Sequence, residues 1–303
     1  MSLRFLSALL LLAIVAIWGW TFVVVKDAIE AYGVIPFLAV RFALAWAVLA
    51  PFACRARQLP SLKTGMVAGI ALAGAYLLQT WGLEFTTASN SGLITGLFLL
   101  FAPLYSLLLF GLPVEKRYYL AAVVSMAGLA LLVEIGFAPV QSGLHLKGDL
   151  LTLGCAAFFG LHVALLDRWA IEGDTMALTV GQLFTAALTF SACWLVMGGL
   201  GVEKFAWPDR QIWIALAITS LIATSAAFFI QTLAQKNLSV LQTSAIIMLE
   251  PLFAVAFGWW LHGDSFKPLQ WLGAGLILAA AAWVELGPKK ETPKPLPQKH
   301  AKP

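Results

Sequence analysis

Of 303 residues, 61% are hydrophobic and only 11% charged, with a mean hydropathy of +0.88, far from the roughly 25% charge of water-soluble domains. The formal net charge of +4 is carried by Lys289, Lys290, Lys294, Lys299 and Lys302 in one proline-interleaved tail, which excludes a folded nucleic-acid-binding face; the tail is expected to be a disordered extension attracted to anionic headgroups. Cys54, Cys155 and Cys193 lie in or at the ends of apolar runs, without CxxC or Cys/His spacing, so neither a disulfide framework nor a zinc site is supported, and no metal or cofactor is expected.

A helix crosses the roughly 30 Å hydrocarbon core with about 20 apolar residues. Runs broken by Pro, Gly and charge predict spans at 3–25, 35–53, 65–83, 88–110, 118–135, 149–171, 177–198, 211–231, 240–261 and 268–286. The first has Arg4 ahead of it, no small-residue cleavage site behind it and a second span close after, so it reads as a retained helix and not a signal peptide. With the N-terminus inside, the cytoplasmic loops and tail hold 13 Lys and Arg and the external loops 5, with Arg41 alone inside a span. Cytoplasmic segments carry the basic excess, so both termini are expected in the cytoplasm, as an even number of spans requires.

The two halves of the chain repeat. Ala16-Ile17-Trp18-Gly19 matches Ala157-Phe158-Phe159-Gly160 at an offset of 141, which places Thr21 opposite His162 and Arg41-Phe42 opposite Gln182-Leu183. Tyr76 to Thr80 matches Phe228 to Thr232 at 152, and Pro103 matches Pro251 at 148. Five spans is an odd number, so the second copy enters from the opposite side. The expected fold is an all-α integral membrane protein of ten transmembrane helices, arranged as two inverted five-helix repeats over 1–135 and 148–286, with an external linker at 136–147 and the tail at 287–303. Such repeats have two alternative packings around a midplane site, the basis of alternating access.

Ionisable groups inside the bilayer cost at least a few kcal/mol and mark functional positions. Glu250, roughly 15 Å into span nine by helical rise, is a candidate for proton coupling, with a structural hydrogen bond beside Pro251 as the alternative. Arg41 can capture a carboxylate with its planar fork, or be a fixed structural charge; its repeat position, Gln182, favours structure. His162, midway along span six, is a candidate cavity residue opposite Thr21, or a satisfied interior group. Gln79 and Gln231 are repeat-related polar contacts or interhelical glue. Trp18, Tyr76, Ser89 and Asn90 suit a cavity with aromatic walls and few polar anchors. Trp81, Trp207, Trp213, Trp259, Trp260 and Trp271 read as interfacial belts. Gly65-xxx-Gly69, Gly92-xxx-Gly96 and Gly275-xxx-Ala279 are patterns that admit close helix approach.

Ile17-Trp18-Gly19, Arg41-Phe42, Thr86-Thr87-Ala88, Pro103 with Glu115, and Leu249-Glu250-Pro251 with Gly263-Asp264 together resemble the doubled EamA pattern of drug/metabolite transporters. The likeness covers residues 5 to 286. It implies a secondary exporter or exchanger of small metabolites in the cell's inner membrane, with amino acids, aromatic ones included, as the leading class. Asp264 stands where the pattern usually has Glu. Another metabolite class is the first alternative. No GxxxxGK[ST] or HExxH occurs, so ATP drive through a P-loop and zinc hydrolysis are unsupported; a membrane-integral enzyme or a channel are the rivals from other classes. The expected partners are a small-molecule substrate and the lipid bilayer, as monomer or homodimer.

Overall fold

The computed structural model describes residues 3–53, 59–112, 116–132, 143–202, 207–238, 240–262 and 267–286. Cys54, Glu115, Gly263-Asp264, residues 136–142 of the expected linker and the tail 287–303 lie outside the described residues, as do the side chains of Ser89 and Asn90. All regular structure among the described residues is helical. In chain order the elements are α1 (Leu3–Tyr32), α2 (Val34–Leu49) closed by a 3₁₀ turn (Ala50–Ala53), α3 (Leu59–Leu83), α4 (Ala88–Thr95), α5 (Phe98–Phe110), α6 (Lys116–Leu132), α7 (Gly143–Ala170) and α8 (Thr175–Gly199). They continue with α9 (Arg210–Ala217), which runs through a π-helical segment (Ile218–Ala226) into α10 (Ala227–Asn237), then α11 (Val240–Ile247), α12 (Glu250–His262) and α13 (Pro268–Leu286). Helix α7 begins at Gly143, so the last five residues of the expected linker are helical.

Six helical stretches are long and apolar enough to cross a membrane: Leu3–Tyr32, Val34–Ala53, Leu59–Leu83, Leu146–Ala170, Thr175–Gly199 and Arg210–Asn237, with four shorter apolar stretches beside them. Outward-facing Leu108, Ile70 and Val123 are more than half exposed, a surface matched to lipid and not to water. The chain is a multi-pass membrane protein. Local chemistry sets the ends: Gly33 takes φ 91° between α1 and α2, a backbone open to glycine, and Asp174 and Asp209 accept the Ala177 and Ile212 amides at 2.8 Å to start α8 and α9.

Spans four and nine, expected as continuous helices, are each broken. The first breaks between Thr95 and Phe98 and the second between Ile247 and Glu250. All four pairs of helix bounds are related by the same offset of 152. So are the tightened turns, Leu97 N to Ile94 O (3.0 Å) against Leu249 N to Ile246 O (3.0 Å). Gly96 weakens the helix in the first copy, and Pro251, which lacks an N–H for Ile247 O, does so in the second.

The largest helix contacts all pair an element of one half with an element of the other: α3 with α7 and α8, α2 with α8 and the π segment, α6 with α13, α5 with α7, and α1 with α12 and α10. They come in exchanged pairs. Gly160 on α7 lies where a Cβ would come within 2.4 Å of Phe101 Cβ and 2.9 Å of Ala102 N. Gly19 on α1 would come within 2.7 Å of both Phe253 Cβ and Ala254 N. The two glycines are 141 apart and their partners 152 apart, so one helix crossing is built twice, and glycine is the residue that lets the backbones meet. Gly65 and Gly69 on α3 approach Leu178 and Gln182 on α8 in the same way, whereas nothing lies within 4 Å of a Cβ at Gly275, which faces out of the bundle.

Two contacts fix which helix ends lie together. Ser7, near the start of α1, accepts from Asn237 at the end of α10 (3.2 Å). Thr86, just past the end of α3, donates to Asp149 near the start of α7 (2.7 Å) and accepts from Lys26, late in α1, through its carbonyl (2.9 Å).

Candidate functional site

Between the halves lies a cavity of about 50 Å³ lined by Trp18, Thr21, Phe22 and Val25 of α1, Arg41 of α2, Tyr76, Gln79, Thr80 and Leu83 of α3, Thr95 and Phe98 flanking the first break, Phe159 and Val163 of α7, Phe228 and Gln231 of α10, and Ile247 and Glu250 flanking the second. Seven residues singled out from the sequence, Trp18, Thr21, Arg41, Tyr76, Gln79, Gln231 and Glu250, meet here. Asn90 sits on α4, beside this space in sequence, with its side chain outside the described residues. His162 does not line the cavity: it is fully buried behind Phe228, whose ring stands edge-on to the imidazole at 5.8 Å.

The lining follows the repeat. Trp18 and Phe159, Phe22 and Val163, Tyr76 and Phe228, Gln79 and Gln231, Thr95 and Ile247, and Phe98 and Glu250 are all related by 141 or 152, and both members of each pair face the cavity. Phe159 and Phe228, absent from the sequence candidates, were reachable through those offsets from Trp18 and Tyr76. Broken helices at matching places in two halves are the feature that most directly marks such sites in transporters, because they bring helix ends and free backbone groups to mid-bundle.

The aromatic walls are fixed in place. The Tyr76 ring packs edge-on to Phe42 (5.0 Å), Phe159 (5.5 Å) and Phe228 (6.0 Å), and Trp18 Nε1 donates to Ala223 O in the π segment at 2.8 Å. Arg41 is 2% exposed. Its Nε donates to Thr224 Oγ1 at 2.8 Å, its Nη2 reaches Tyr76 Oη at 3.5 Å, and its Cζ lies 4.8 Å from the centre of the Tyr76 ring. A guanidinium has five N–H donors, so at least three find no partner among the described residues, and no carboxylate there pairs with it. The ring contact contributes about 0.5–2 kcal/mol, less than the several kcal/mol a buried unpaired charge costs. Glu250, at the first turn of α12, is partly exposed to the cavity and has neither a hydrogen bond nor an ion pair among the described residues. Gln79 donates through Nε2 to Thr95 Oγ1 at 3.1 Å, whereas Gln231, 2% exposed, has an Oε1 with no partner.

The cavity is lopsided. At the end where α3 meets α7 it is lined by Thr21, Val25, Thr80 and Leu83. Their repeat mates toward the other end, His162, Leu166, Thr232 and Gln235, are at most 1% exposed and do not line it. There, His162 Nε2 donates to Gln182 Oε1 at 2.6 Å, Gln182 Nε2 to Thr232 Oγ1 at 3.2 Å, and Thr232 Oγ1 to Phe228 O at 2.7 Å, while Gln235 Nε2 donates to Val163 O at 2.9 Å. This chain ties α7, α8 and α10 into a plug. No group of His, Cys, Asp and Glu suited to a metal occurs among the described residues.

A multi-pass bundle with a central cavity between two matching sets of helices is an architecture suited to a membrane transporter. The model of the EamA-like transporter family matches residues 5–134 and again 146–286, and the chain belongs to that family. It is 33% identical over 276 residues to an uncharacterized transporter of Archaeoglobus fulgidus, covering 91% of this chain and 84% of that one. It is 25% identical over 293 residues to the uncharacterized inner membrane transporter YedA of Escherichia coli K12, covering 91% and 90%. It is 26% identical over 170 residues to the threonine/homoserine exporter RhtA of the same organism, covering 56% and 55%. A solved crystal structure superposes with a TM-score of 0.73 over 92% of this chain and 96% of that one at 19% identity, a likeness of fold. The protein is a small-molecule transporter of the drug/metabolite superfamily.

Proposed function

We propose that the protein is a secondary exporter or exchanger of zwitterionic amino acids in the inner membrane, with both termini cytoplasmic, working by alternating access between two inverted five-helix repeats. The observation that carries the substrate class is the pair Arg41 and Glu250: a cation and a carboxyl group that open on one cavity, without ion partners among the described residues. A substrate carboxylate satisfies the guanidinium fork, and a substrate ammonium faces Glu250, which alternatively exchanges that cation for a proton. The name of RhtA supports amino acids as a class. Inversion is supported by the odd number of spans per half and by the end contacts, since α1 begins beside the end of α10 while α7 begins beside the end of α3.

Alternating access follows from the lopsided cavity. At about 50 Å³ it is below the roughly 300 Å³ at the small end of ligand sites, so its walls part on loading. The His162-Gln182-Thr232 plug closes the cytoplasmic end in this conformer, and exchange of roles between the halves closes the other. Counterflow in proteoliposomes against an amino-acid panel tests the proposal. Saturable counterflow of at least one amino acid is expected, falling at least tenfold in Arg41→Gln at unchanged thermal stability. A wild type that moves no amino acid, or an Arg41→Gln variant as active as wild type, rejects it.

A further inference from the structure

Three polar groups on the cavity wall are left unsatisfied among the described residues: the Arg41 fork, with two bonds for its five N–H donors, the Glu250 carboxyl group and the Gln231 amide oxygen. Each stands where the two halves differ. Arg41 is opposite Gln182 in the repeat, and Glu250 is opposite Phe98. Gln231 is opposite another glutamine, Gln79, but the hydroxyl that engages Gln79 belongs to Thr95, and the residue 152 further on is Ile247. Both Gln231 and Ile247 line the cavity. The second copy therefore has the amide without the hydroxyl that accepts from its Nε2 in the first. Gln231 is 2% exposed with Oε1 unsatisfied, and a buried carbonyl without a donor costs about 1–3 kcal/mol. Of the neighbouring buried amides, Gln182 is bonded at both ends, and Gln235 donates through Nε2 while its Oε1 has no partner; Gln231 differs from Gln235 in lining the cavity.

We infer that Gln231 is a specificity-determining residue that accepts a hydrogen bond from an uncharged donor on the substrate's side chain, so that the preferred substrates are small amino acids bearing a hydroxyl or a carboxamide. The inference rests on the amino-acid reading above. With the carboxylate taken by Arg41 and the ammonium by Glu250, a neutral amide is left for a third, neutral group. A site built around such a bond rejects the isostere that lacks the donor, because binding that isostere leaves the amide unpaired in a closed cavity.

The test compares isosteric pairs in counterflow with the full-length protein: threonine against valine, and asparagine against leucine. Wild type is expected to move the first of each pair at least tenfold faster. In Gln231→Met the ratio is expected to fall to about one, with insertion and melting temperature preserved. Gln231→Leu, which also lacks the acceptor oxygen, is expected to lower the ratio in the same way, and it is read in place of Gln231→Met if that variant does not insert. A wild type that moves valine and leucine as fast as threonine and asparagine overturns the inference while leaving the amino-acid reading intact. So does a preference that survives both variants, or a folded Gln231→Met that moves none of the four. A wild type that moves no amino acid fails the underlying reading instead.

Discussion

The first and second halves of the molecule share a frame but differ in how they use it. Gly19 and Gly160 make the same crossing, and the two broken spans agree in every helix bound and in their tightened turns. The polar positions diverge: Arg41 opens on the cavity, whereas Gln182 is occupied by His162 and Thr232; Thr21 lines the cavity, whereas His162 is buried in the plug. Span three is a regular α-helix drawn onto α8 by Gly65 and Gly69. Its counterpart, span eight, carries the π segment, where Thr224 takes the Arg41 Nε and Ser225 donates to Ala45 O at 3.1 Å. The shared parts are those that set how close helices approach. The divergent parts are the groups that border the cavity, or that are buried at one end of it.

The comparison breaks most visibly at the glycines. Gly19→Val and Gly160→Val are each expected to destabilise the protein by about 3 kcal/mol, the upper end for overpacking, because the added atoms meet backbone and Cβ atoms that cannot swing away. Thermal unfolding in detergent should show comparable losses; a loss at one glycine alone would mean that the crossings are not equivalent. A smaller effect is expected at the plug. Gln182→Leu removes the 2.6 Å and 3.2 Å hydrogen bonds and strands the His162 imidazole, shifting the balance of conformers by about 1–2 kcal/mol. Cytoplasmic-side labelling of a cysteine placed at Gln235 should speed up about tenfold, and unchanged labelling would mean that the chain is not a gate. The smallest effect is at Tyr76→Phe, which gives α3 the ring its repeat mate Phe228 already has. Counterflow within twofold of wild type is expected, since the hydroxyl supplies only a 3.5 Å contact, and a large loss would show that the hydroxyl and not the ring faces the substrate.

Much of this arrangement was legible in the chain. Composition named the solvent, the apolar runs counted the helices, and the offsets of 141 and 152 already related Trp18 to Phe159 and Tyr76 to Phe228. Arg41 and Glu250 stood out because few ionisable side chains fall inside spans. The breaks did not stand out: Pro103 and Pro251 were matched at an offset of 148, yet the structure breaks both spans at positions 152 apart, and Pro103 lies inside the continuous helix α5.

Membership of a lipid-embedded helical bundle, and the doubling within it, followed from the sequence by itself, because the first needs only hydropathy counted along the chain and the second only residues matched at a recurring offset. The facing of each helix was decided by tertiary structure. A helix apolar all round has no polar stripe to tell its inner side from its outer, so the sequence could not say that Thr21 would border the cavity while its mate His162 would be sealed behind Phe228, or that Gln79 would find Thr95 while Gln231 would find no partner. Those outcomes depend on the rotation and depth at which each helix stops against its neighbours, which the glycine crossings and the two breaks set.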